Sequence, residues 1–344
     1  MTAPPVLAAV RSTDRMGILA PLFTAILLLP TLASAQAIGK VPRIGVLSGE
    51  YPPPRGDDCL DAFRRGLHEA GYTEAQTIAV EPRFSEANSK PWPPLAADLL
   101  RMRVDVIVAM TTTAALAARQ ATATIPIVMG PVPYPVEVGL VASLARPGGN
   151  VTGSAMYTAE LLQKRMEVLR DAVPGATRMA AFRRTGGATG PVMDFQIRDF
   201  QTAAQRLGVQ LSVFDVQRPE DIDRAFDAAV AGRAQAIVLP SSPLFRGLQL
   251  LRIAALGLRH KVPVLADDPG AADTGILLQF GANRLGLCSR AAVFVDKLLK
   301  GARPADLPVE QPARIELVVN LKTATAIGLK LPPSVLVRAD RVIQ

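Results

Sequence analysis

Short apolar runs of strand length alternate with amphipathic helical patterns along this sequence, and the order occurs twice. In the first half "RIGVLS" (43–48) is followed by "TIAVEPRF", "VDVIVAM" and "IPIVMG", with helical patterns between them. In the second half "TRMAAF" (177–182), "VQLSVFDV", "AQAIVLP" and "VPVLAD" repeat the order. Such alternation is typical of parallel βαβ units, and the Val- and Ile-rich runs suit strands covered on both faces. The sequence predicts an α/β protein with two similar domains, each built on a parallel sheet.

The stretch "GLVASLARPGGNVTGSAMY" joins the two halves. It predicts an apolar helix that is ended by Pro147, Gly148, Gly149 and Asn150, followed by a strand that leaves the first domain. Further elements follow the second repeat, namely "GILLQFG", a long helical pattern and "RIELVVNLKTATAIGL". These surplus elements predict that the chain returns to the first domain and crosses again. We therefore expect a three-segment hinge, with crossings at 148–160, about 276–284 and about 310–318.

The first 35 residues read as a secretory signal peptide. Arg11 and Arg15 precede an uncharged apolar run over 16–33, and "ASAQ" supplies a small-residue cleavage site after Ala35. A transmembrane anchor is the alternative, but the run is near or below the ~18–20 residues that span a bilayer and contains Pro30. We expect a cleaved signal peptide and a mature protein in the periplasm.

The size and charge of the chain exclude some classes of function. A chain of 344 residues with 49% hydrophobic content can bury two cores. The net charge of +8 permits nucleic-acid binding, but the cations are scattered and are not interleaved with aromatic residues, so we expect no nucleic-acid partner.

An oxidising compartment allows a disulfide between Cys59 and Cys288. We expect two free buried thiols, with the disulfide as the alternative.

Several blocks of the sequence resemble one known family. They include "FRRGLHEAGY", "AALAARQATATIPIV", "GLVASLARPGGNVTG", "KRMEVLRDAVPG" and "VDKLLKGARPADLPVEQPARIELVVNLKTATAIGLKLPPSVLVRAD". Together they resemble the ABC-transporter substrate-binding proteins related to tryptophan- and tyrosine-binding proteins, over essentially all of residues 40–344. The resemblance implies the type I periplasmic-binding-protein fold, in which two Rossmann-like domains with parallel sheets are joined by a three-segment hinge. In that fold the two domains close on a small ligand and present it to a permease in the inner membrane.

This resemblance sets the expected domains and partners. We expect a signal peptide over 1–35, an N-terminal domain of 36–155 plus 282–314 and a C-terminal domain of 156–281 plus 315–344. The expected function is that of the extracytoplasmic solute-binding component of an ABC importer, which closes on a small organic ligand such as an amino acid or an aromatic or carboxylate compound. A periplasmic receptor subunit of a membrane sensor is the alternative. We expect a monomer, with a dimer as the alternative, and no cofactor.

Candidate ligand-binding residues follow the predicted strands, because ligands of parallel α/β sheets lie beyond the carboxyl ends of the strands. Hydroxyl groups at the start of a helix could receive a carboxylate. A helix cap is the alternative role for one Thr and for Asp267, and hinge packing is the alternative for Tyr157. The candidates are Ser48, Glu50, Thr111, Thr112, Thr113, Tyr134, Tyr157, Ser241, Ser242 and Asp267.

The sequence departs from the family pattern in two places. Tyr134-Pro135-Val136 stands where the family commonly has Asp-Pro-Val, and "RRTGGATG" (183–190) stands where the family often has Asn-Pro. If that Asp holds an amino group in relatives, the ligand here lacks one or is held differently. The glycines of the second stretch match neither nucleotide-binding pattern, so we expect a loop at the edge of the cleft.

Catalytic and metal-binding patterns are weak in this sequence. Its two histidines, His68 and His260, have no metal-ligand spacing, and neither a G-x-S-x-G nor a C-x-x-C pattern occurs. Asp267 and Asp268 are adjacent and would point in different directions, which makes a poor acid/base pair. We expect no catalytic residues, no metal site and no enzyme activity.

Overall fold

The structure is a computed structural model that describes residues 40–49, 58–85, 90–156, 159–186 and 190–344. The first sheet contains β1 (Arg43–Ser48), β2 (Ala79–Phe84), β3 (Val106–Ala109), β4 (Ile127–Val132) and β5 (Val151–Ala155). All its strands are parallel, in the order β2-β1-β3-β4-β5. Except for β2, these strands are buried along nearly their whole length, which is why they read as continuous apolar runs.

The second sheet contains β6 (Arg178–Arg184), β7 (Gln210–Val216), β8 (Ala236–Val238), β9 (Val264–Ala266), β10 (Leu278–Ala282), β11 (Ile315–Asn320) and β12 (Arg341–Ile343). Its strand order is β12-β11-β10-β9-β8-β6-β7. Its pairs are parallel except that β11 runs antiparallel to β10. The predicted α/β class with two sheets is confirmed.

Helices cover both sheets, and we call each sheet with its helices a lobe. The first lobe carries α1 (Asp58–Glu69), α2 (Trp92–Arg101), α3 (Thr112–Ala121) and α8 (Arg284–Leu299). The second lobe carries α4 (Ala159–Ala172), α5 (Gly190–Arg206), α6 (Asp221–Ala231), α7 (Leu248–His260), α9 (Leu321–Ile327) and α10 (Pro333–Val337).

The chain passes between the lobes three times. It leaves the first sheet after β5, returns after β10 to form α8 against β4 and β5, and leaves again before β11. The chain passes from β10 into α8 without a loop. Asn283 caps α8 at this point, because its side-chain oxygen accepts a hydrogen bond of 2.9 Å from the N–H of Gly286.

The three passages pack against one another. Met156 of the first, Ala282 at the start of the second and Leu287 of α8 form a small buried cluster, against which Leu161 and Ile315 pack. Each of these residues is apolar, and each stands within a few residues of a passage. The segments that connect the lobes therefore share one apolar contact instead of running separately through solvent.

The predicted helix before Pro147 is wrong. Residues 135–139 form turns and residues 140–147 are irregular, and Leu140 and Val141 both donate backbone hydrogen bonds to the carbonyl of Pro135. The carbonyl of Leu144 accepts a hydrogen bond of 2.8 Å from the N–H of Val309. Compact turns bury these apolar side chains without helical periodicity.

Cys59 of α1 and Cys288 of α8 form a disulfide, so the expectation of two free thiols is wrong. Their Cα atoms lie 5.3 Å apart although 229 residues separate them in sequence. Both residues are buried in the apolar layer between the two helices. Because α8 reaches the first lobe only by the second passage, sequence spacing could not show that the two sulfurs meet.

Among the residues that the structure describes, no helix is long and apolar enough to cross a membrane. The predicted signal peptide over 1–35 lies outside the described residues and stays a prediction. The exact bounds of the two predicted domains also stay a prediction.

Candidate functional site

Hydroxyl-bearing side chains lie at the carboxyl ends of β1 and β3. Ser48 ends β1 and is fully buried. Thr111 follows β3 and caps α3, because its Oγ1 accepts a hydrogen bond of 3.2 Å from the N–H of Ala114. Thr111 therefore performs the capping role that was the alternative for one of the three threonines.

The next two threonines begin α3 and are both at least nine-tenths buried. Oγ1 of Thr113 lies 3.3 Å from Oγ1 of Thr111, whereas the hydroxyl of Thr112 has no hydrogen-bond partner among the described residues. The first N–H groups of a helix have no partner within the helix and carry its partial positive charge. This end of α3 can therefore receive a carboxylate through backbone N–H groups and the Thr112 hydroxyl.

The loop after β8 presents Ser241 and Ser242 at the carboxyl edge of the second sheet. The side-chain amide of Gln196 on α5 holds this loop from both sides. Its Oε1 accepts a hydrogen bond of 2.9 Å from the N–H of Ser241, and its Nε2 donates one of 3.3 Å to the carbonyl of Ser241. Ser242 is buried and caps a short 3₁₀ helix by accepting from the N–H of Leu244 at 3.2 Å.

Asp267 follows β9 and is paired inside the protein. Its Oδ2 lies 2.8 Å from a terminal nitrogen of Arg165, which is fully buried on α4. Arg165 also donates through Nε to the carbonyl of Phe280 at 3.1 Å. We expected the carboxylate of Asp267 to bind a ligand amine or to cap a helix, but it has a guanidinium partner inside the protein. The neighbouring Asp268 pairs with Arg246 at 2.9 Å.

Tyr134 follows β4 of the first lobe but packs into the core of the second lobe. Its backbone is left-handed, with φ of 53°, and its ring lies 5.5 Å from that of Phe195 on α5. Its phenol donates a hydrogen bond of 2.8 Å to Oδ2 of Asp199. Burial, together with this hydrogen bond, raises the pKa of Tyr134 well above its ordinary range.

These residues fall into two sets. Ser48, Thr111 to Thr113 and Tyr134 follow the neighbouring strands β1, β3 and β4, and Ser241, Ser242 and Asp267 follow the neighbouring strands β8 and β9. Apart from Tyr134, whose side chain packs into the second lobe, each set therefore lies at the carboxyl ends of neighbouring parallel strands, which is where α/β proteins bind ligands.

The chain matches known proteins over most of its length. A family model for ABC transporter substrate binding proteins matches residues 54–343. This chain belongs to that family. The tyrosine-binding protein of Clostridioides difficile (strain R20291) is 24% identical to this substrate-binding protein over 277 residues, which cover 80% of this chain and 78% of the relative.

Solved structures show the same fold. The ABC domain in complex with L-Trp from Streptococcus pneumonia is 25% identical, has a TM-score of 0.77 and covers 88% of this substrate-binding protein and 99% of that chain. A conserved domain protein from Vibrio cholerae is 24% identical, also with a TM-score of 0.77, and covers 88% and 100% of the two chains. The predicted family and the type I periplasmic-binding-protein fold are both confirmed.

Two of the candidates, Glu50 and Tyr157, lie outside the described residues of this substrate-binding protein and stay predictions. Sequence reasoning missed Arg165, Gln196 and Asp199, which hold three of the other candidates. All three are buried polar side chains within amphipathic helices. A polar residue on the apolar face of such a helix was the signal that could have found them, since buried polar groups need partners.

The two histidines of this substrate-binding protein lie away from both candidate sets, at the carboxyl ends of α1 and α7. Within the described ranges, no three His, Cys, Asp or Glu side chains are grouped so that they could hold a metal ion. Nε2 of His260 lies 3.5 Å from Asp227, and its ring is 5.6 Å from Phe226. These contacts give His260 a packing role.

Proposed function

We propose that this substrate-binding protein is the extracytoplasmic solute-binding component of an ABC importer. It is exported through a cleaved signal peptide, acts in the periplasm as a monomer without turnover, and delivers a small organic ligand to a permease in the inner membrane. Its family membership supports the carrier class. The observation that carries the mechanism is the pair of polar strand edges, one on each lobe, with three chain passages between the lobes.

In this proposal the N-terminal domain comprises 36–155 with 282–314, and the C-terminal domain comprises 156–281 with 315–344. The passages act as a hinge, because each sheet is rigid while a few torsions near Met156, around Asn283 and before β11 absorb the rotation. The shared cluster around Met156 and Leu287 keeps the three passages together during that motion.

The ligand drives closure only if both lobes contact it. A ligand held by one lobe binds the open and closed forms equally and shifts no population. Thr112 and Thr113 supply the contacts of the first lobe, and the loop at Ser241, held in place by Gln196, supplies those of the second. Occupancy is thereby converted into the closed shape that a permease recognises.

A carboxylate-bearing ligand suits the first lobe. The start of α3 offers the N–H groups of Thr112 and Thr113, which have no hydrogen-bond partner among the described residues, together with a partial positive charge and the hydroxyl of Thr112. Relatives named for tyrosine binding or solved with L-Trp carry ligands of this kind, which supports an aromatic or amino acid as the first compounds to test.

Isothermal titration calorimetry against L-tryptophan, L-tyrosine and a panel of small carboxylic acids tests the carrier role. We expect at least one compound to bind with a Kd in the micromolar range or tighter, which corresponds to about −8 kcal/mol. Chromatography of the ligand after long incubation with substoichiometric protein should recover it unchanged. Consumption of the ligand, or no binding across the panel, would contradict the proposal.

Intact-mass measurement of protein from its native compartment tests export separately. The mature chain should begin at Gln36, and a mature species that retains Met1 would contradict cleavage after Ala35. Cross-linking of the ligand-bound protein to the permease tests delivery.

A further inference from the structure

Arg184 is the last residue of β6 and lies at the same edge of the second sheet as the candidate loop. In the register between β6 and β8, Ala181 pairs with Val238. Three residues further along the chain lie Arg184 on β6 and Ser241 in the loop after β8, so both residues follow the same end of the paired segment. Side chains alternate along a strand, so Arg184 lies on the same face of the sheet as Phe182, which packs 6.2 Å from Phe245 in the turn after Ser242.

Arg184 differs from its neighbour in the strand. Arg183 lies on the other face and forms a two-pronged ion pair with Asp215, at 2.7 and 2.9 Å. Arg184 is partly buried, yet it makes no hydrogen bond and no ion pair with any residue of the described ranges. Burial lowers the pKa of Arg184, and no carboxylate acts in the opposite direction.

Two arginines of the second lobe whose side chains are largely buried have acidic partners. Arg165 pairs with Asp267, and Arg246 pairs with Asp268. A partly desolvated guanidinium without an anion is unfavourable, and an arriving carboxylate would match its planar set of donors.

The charged groups at the carboxyl ends of the strands favour an anion on each of the two lobes. The carboxylate of Asp267 is neutralised by the guanidinium of Arg165, so it offers little to a ligand amine. The opposite lobe presents the amino end of α3. One edge therefore has a guanidinium and the other a helix N-terminus with the hydroxyl of Thr112.

We propose that Arg184 is the specificity-determining residue of the second lobe and receives an anionic group of the ligand. The ligand is then a small dianionic organic acid, with one carboxylate at the start of α3 and the other at Arg184. This inference rests on the proposed carrier function and names the chemical class of its cargo. Each carboxylate contacts a different lobe, so such a ligand meets the requirement for closure.

Matched pairs of acids test the inference by calorimetry. The probes are benzoate with terephthalate, butyrate with succinate, and hexanoate with adipate, together with L-tryptophan and L-tyrosine. We expect at least one dicarboxylate to bind ten times or more tightly than its matched monocarboxylate. Arg184→Gln should abolish that difference, and Arg184→Lys should restore part of it.

Arg183→Gln is the matched control, because it removes the adjacent guanidinium from the other face of the same strand. It should keep the preference for the dicarboxylate. Thermal unfolding should show that Arg184→Gln is folded, as expected for a side chain without partners in the described structure. A loss of affinity without a loss of Tm separates ligand recognition from a structural role.

Three results would overturn the assignment of Arg184. They are equal affinity for the two members of every pair, equal selectivity in Arg184→Gln and Arg183→Gln, and binding of L-tryptophan or L-tyrosine but of no dicarboxylate. In the last case the carrier function survives and the dianionic class fails. Turnover of a dicarboxylate, with selectivity that depends on Arg184, would overturn the carrier function and leave the assignment standing.

Discussion

The phenol oxygen of Tyr134 donates a 2.8 Å hydrogen bond to Oδ2 of Asp199, and the two residues belong to different lobes. Tyr134 follows β4 of the first sheet, whereas Asp199 lies on α5 above the second. Arg198 contacts the other carboxylate oxygen at 3.2 Å and stacks over Phe195, 5.1 Å from the ring centre. The lobes are thus joined by a buried polar contact as well as by the three chain passages.

Tyr134→Phe should lower the free energy of unfolding by about 1–3 kcal/mol, since the buried carboxylate of Asp199 loses a donor that water cannot replace. Urea unfolding measures the change. Tyr72→Phe is the control, because it removes a hydrogen bond of 2.9 Å to Asp296 that lies within the first lobe and is only partly buried. Equal losses in the two variants would show that the contact between the lobes has no special weight.

The stabilising contribution of Tyr72 should be lost at alkaline pH. Burial, followed by the hydrogen bond to Asp296, raises the pKa of Tyr72 to about 12 from the value of 10.0 in the unfolded chain. Its contribution is complete below pH 10 and is lost as the pH rises toward 12, because only the unfolded state ionises in that window. The free energy of unfolding should fall less steeply in Tyr72→Phe over this range, and parallel curves for the two proteins would refute the expectation.

Loss of the disulfide between Cys59 and Cys288 should lower the free energy of unfolding by about 2–5 kcal/mol. The disulfide ties α8 to α1 and so holds the segment between the second and third passages on the first lobe. Urea unfolding of the double variant Cys59→Ala/Cys288→Ala measures the loss. Reductant should lower the free energy of unfolding of the parent protein and leave that of the double variant unchanged. If complete reduction of the disulfide does not change the free energy of unfolding of the parent protein, the disulfide has no stabilising role.

The buried pair of Arg165 and Asp267 should show strong coupling in a double-mutant cycle. Arg165→Met alone leaves a buried carboxylate without this partner and should cost about 3–5 kcal/mol, while Arg165→Met/Asp267→Leu should cost less than the sum of the single changes. Urea unfolding gives all four corners of the cycle. Additive losses would mean that the two charges do not depend on each other.

Thr112→Val should weaken ligand binding roughly tenfold or more, since a hydrogen bond to a charged group contributes about 1.5–3 kcal/mol. The fold should remain intact, because the Thr112 hydroxyl has no hydrogen-bond partner among the described residues.

Small-angle scattering should show a smaller radius of gyration when the parent protein is saturated with ligand. An unchanged radius at proven saturation would remove the hinge mechanism.

Sequence alone was enough for the class of fold and the family. Strands such as β1 and β4 are buried on both faces and must be apolar throughout, so their Val- and Ile-rich runs are visible without a structure. The caps at Thr111 and Ser242 were also within reach, because a capping side chain acts on the N–H of a residue two or three positions away.

The tertiary structure decided which distant groups meet. The disulfide joins residues 229 positions apart, Arg165 reaches Asp267, and Tyr134 crosses to Asp199. Local periodicity reports which face of an element is buried, but it carries no information about the element packed against that face. Arg183 and Arg184 are identical and adjacent, but they lie on opposite faces of β6, because a strand sends successive side chains to opposite sides. Arg183 pairs with Asp215, whereas Arg184 has no acidic partner among the described residues. The sequence shows that the two side chains lie on different faces, but only the tertiary structure shows what each face contacts.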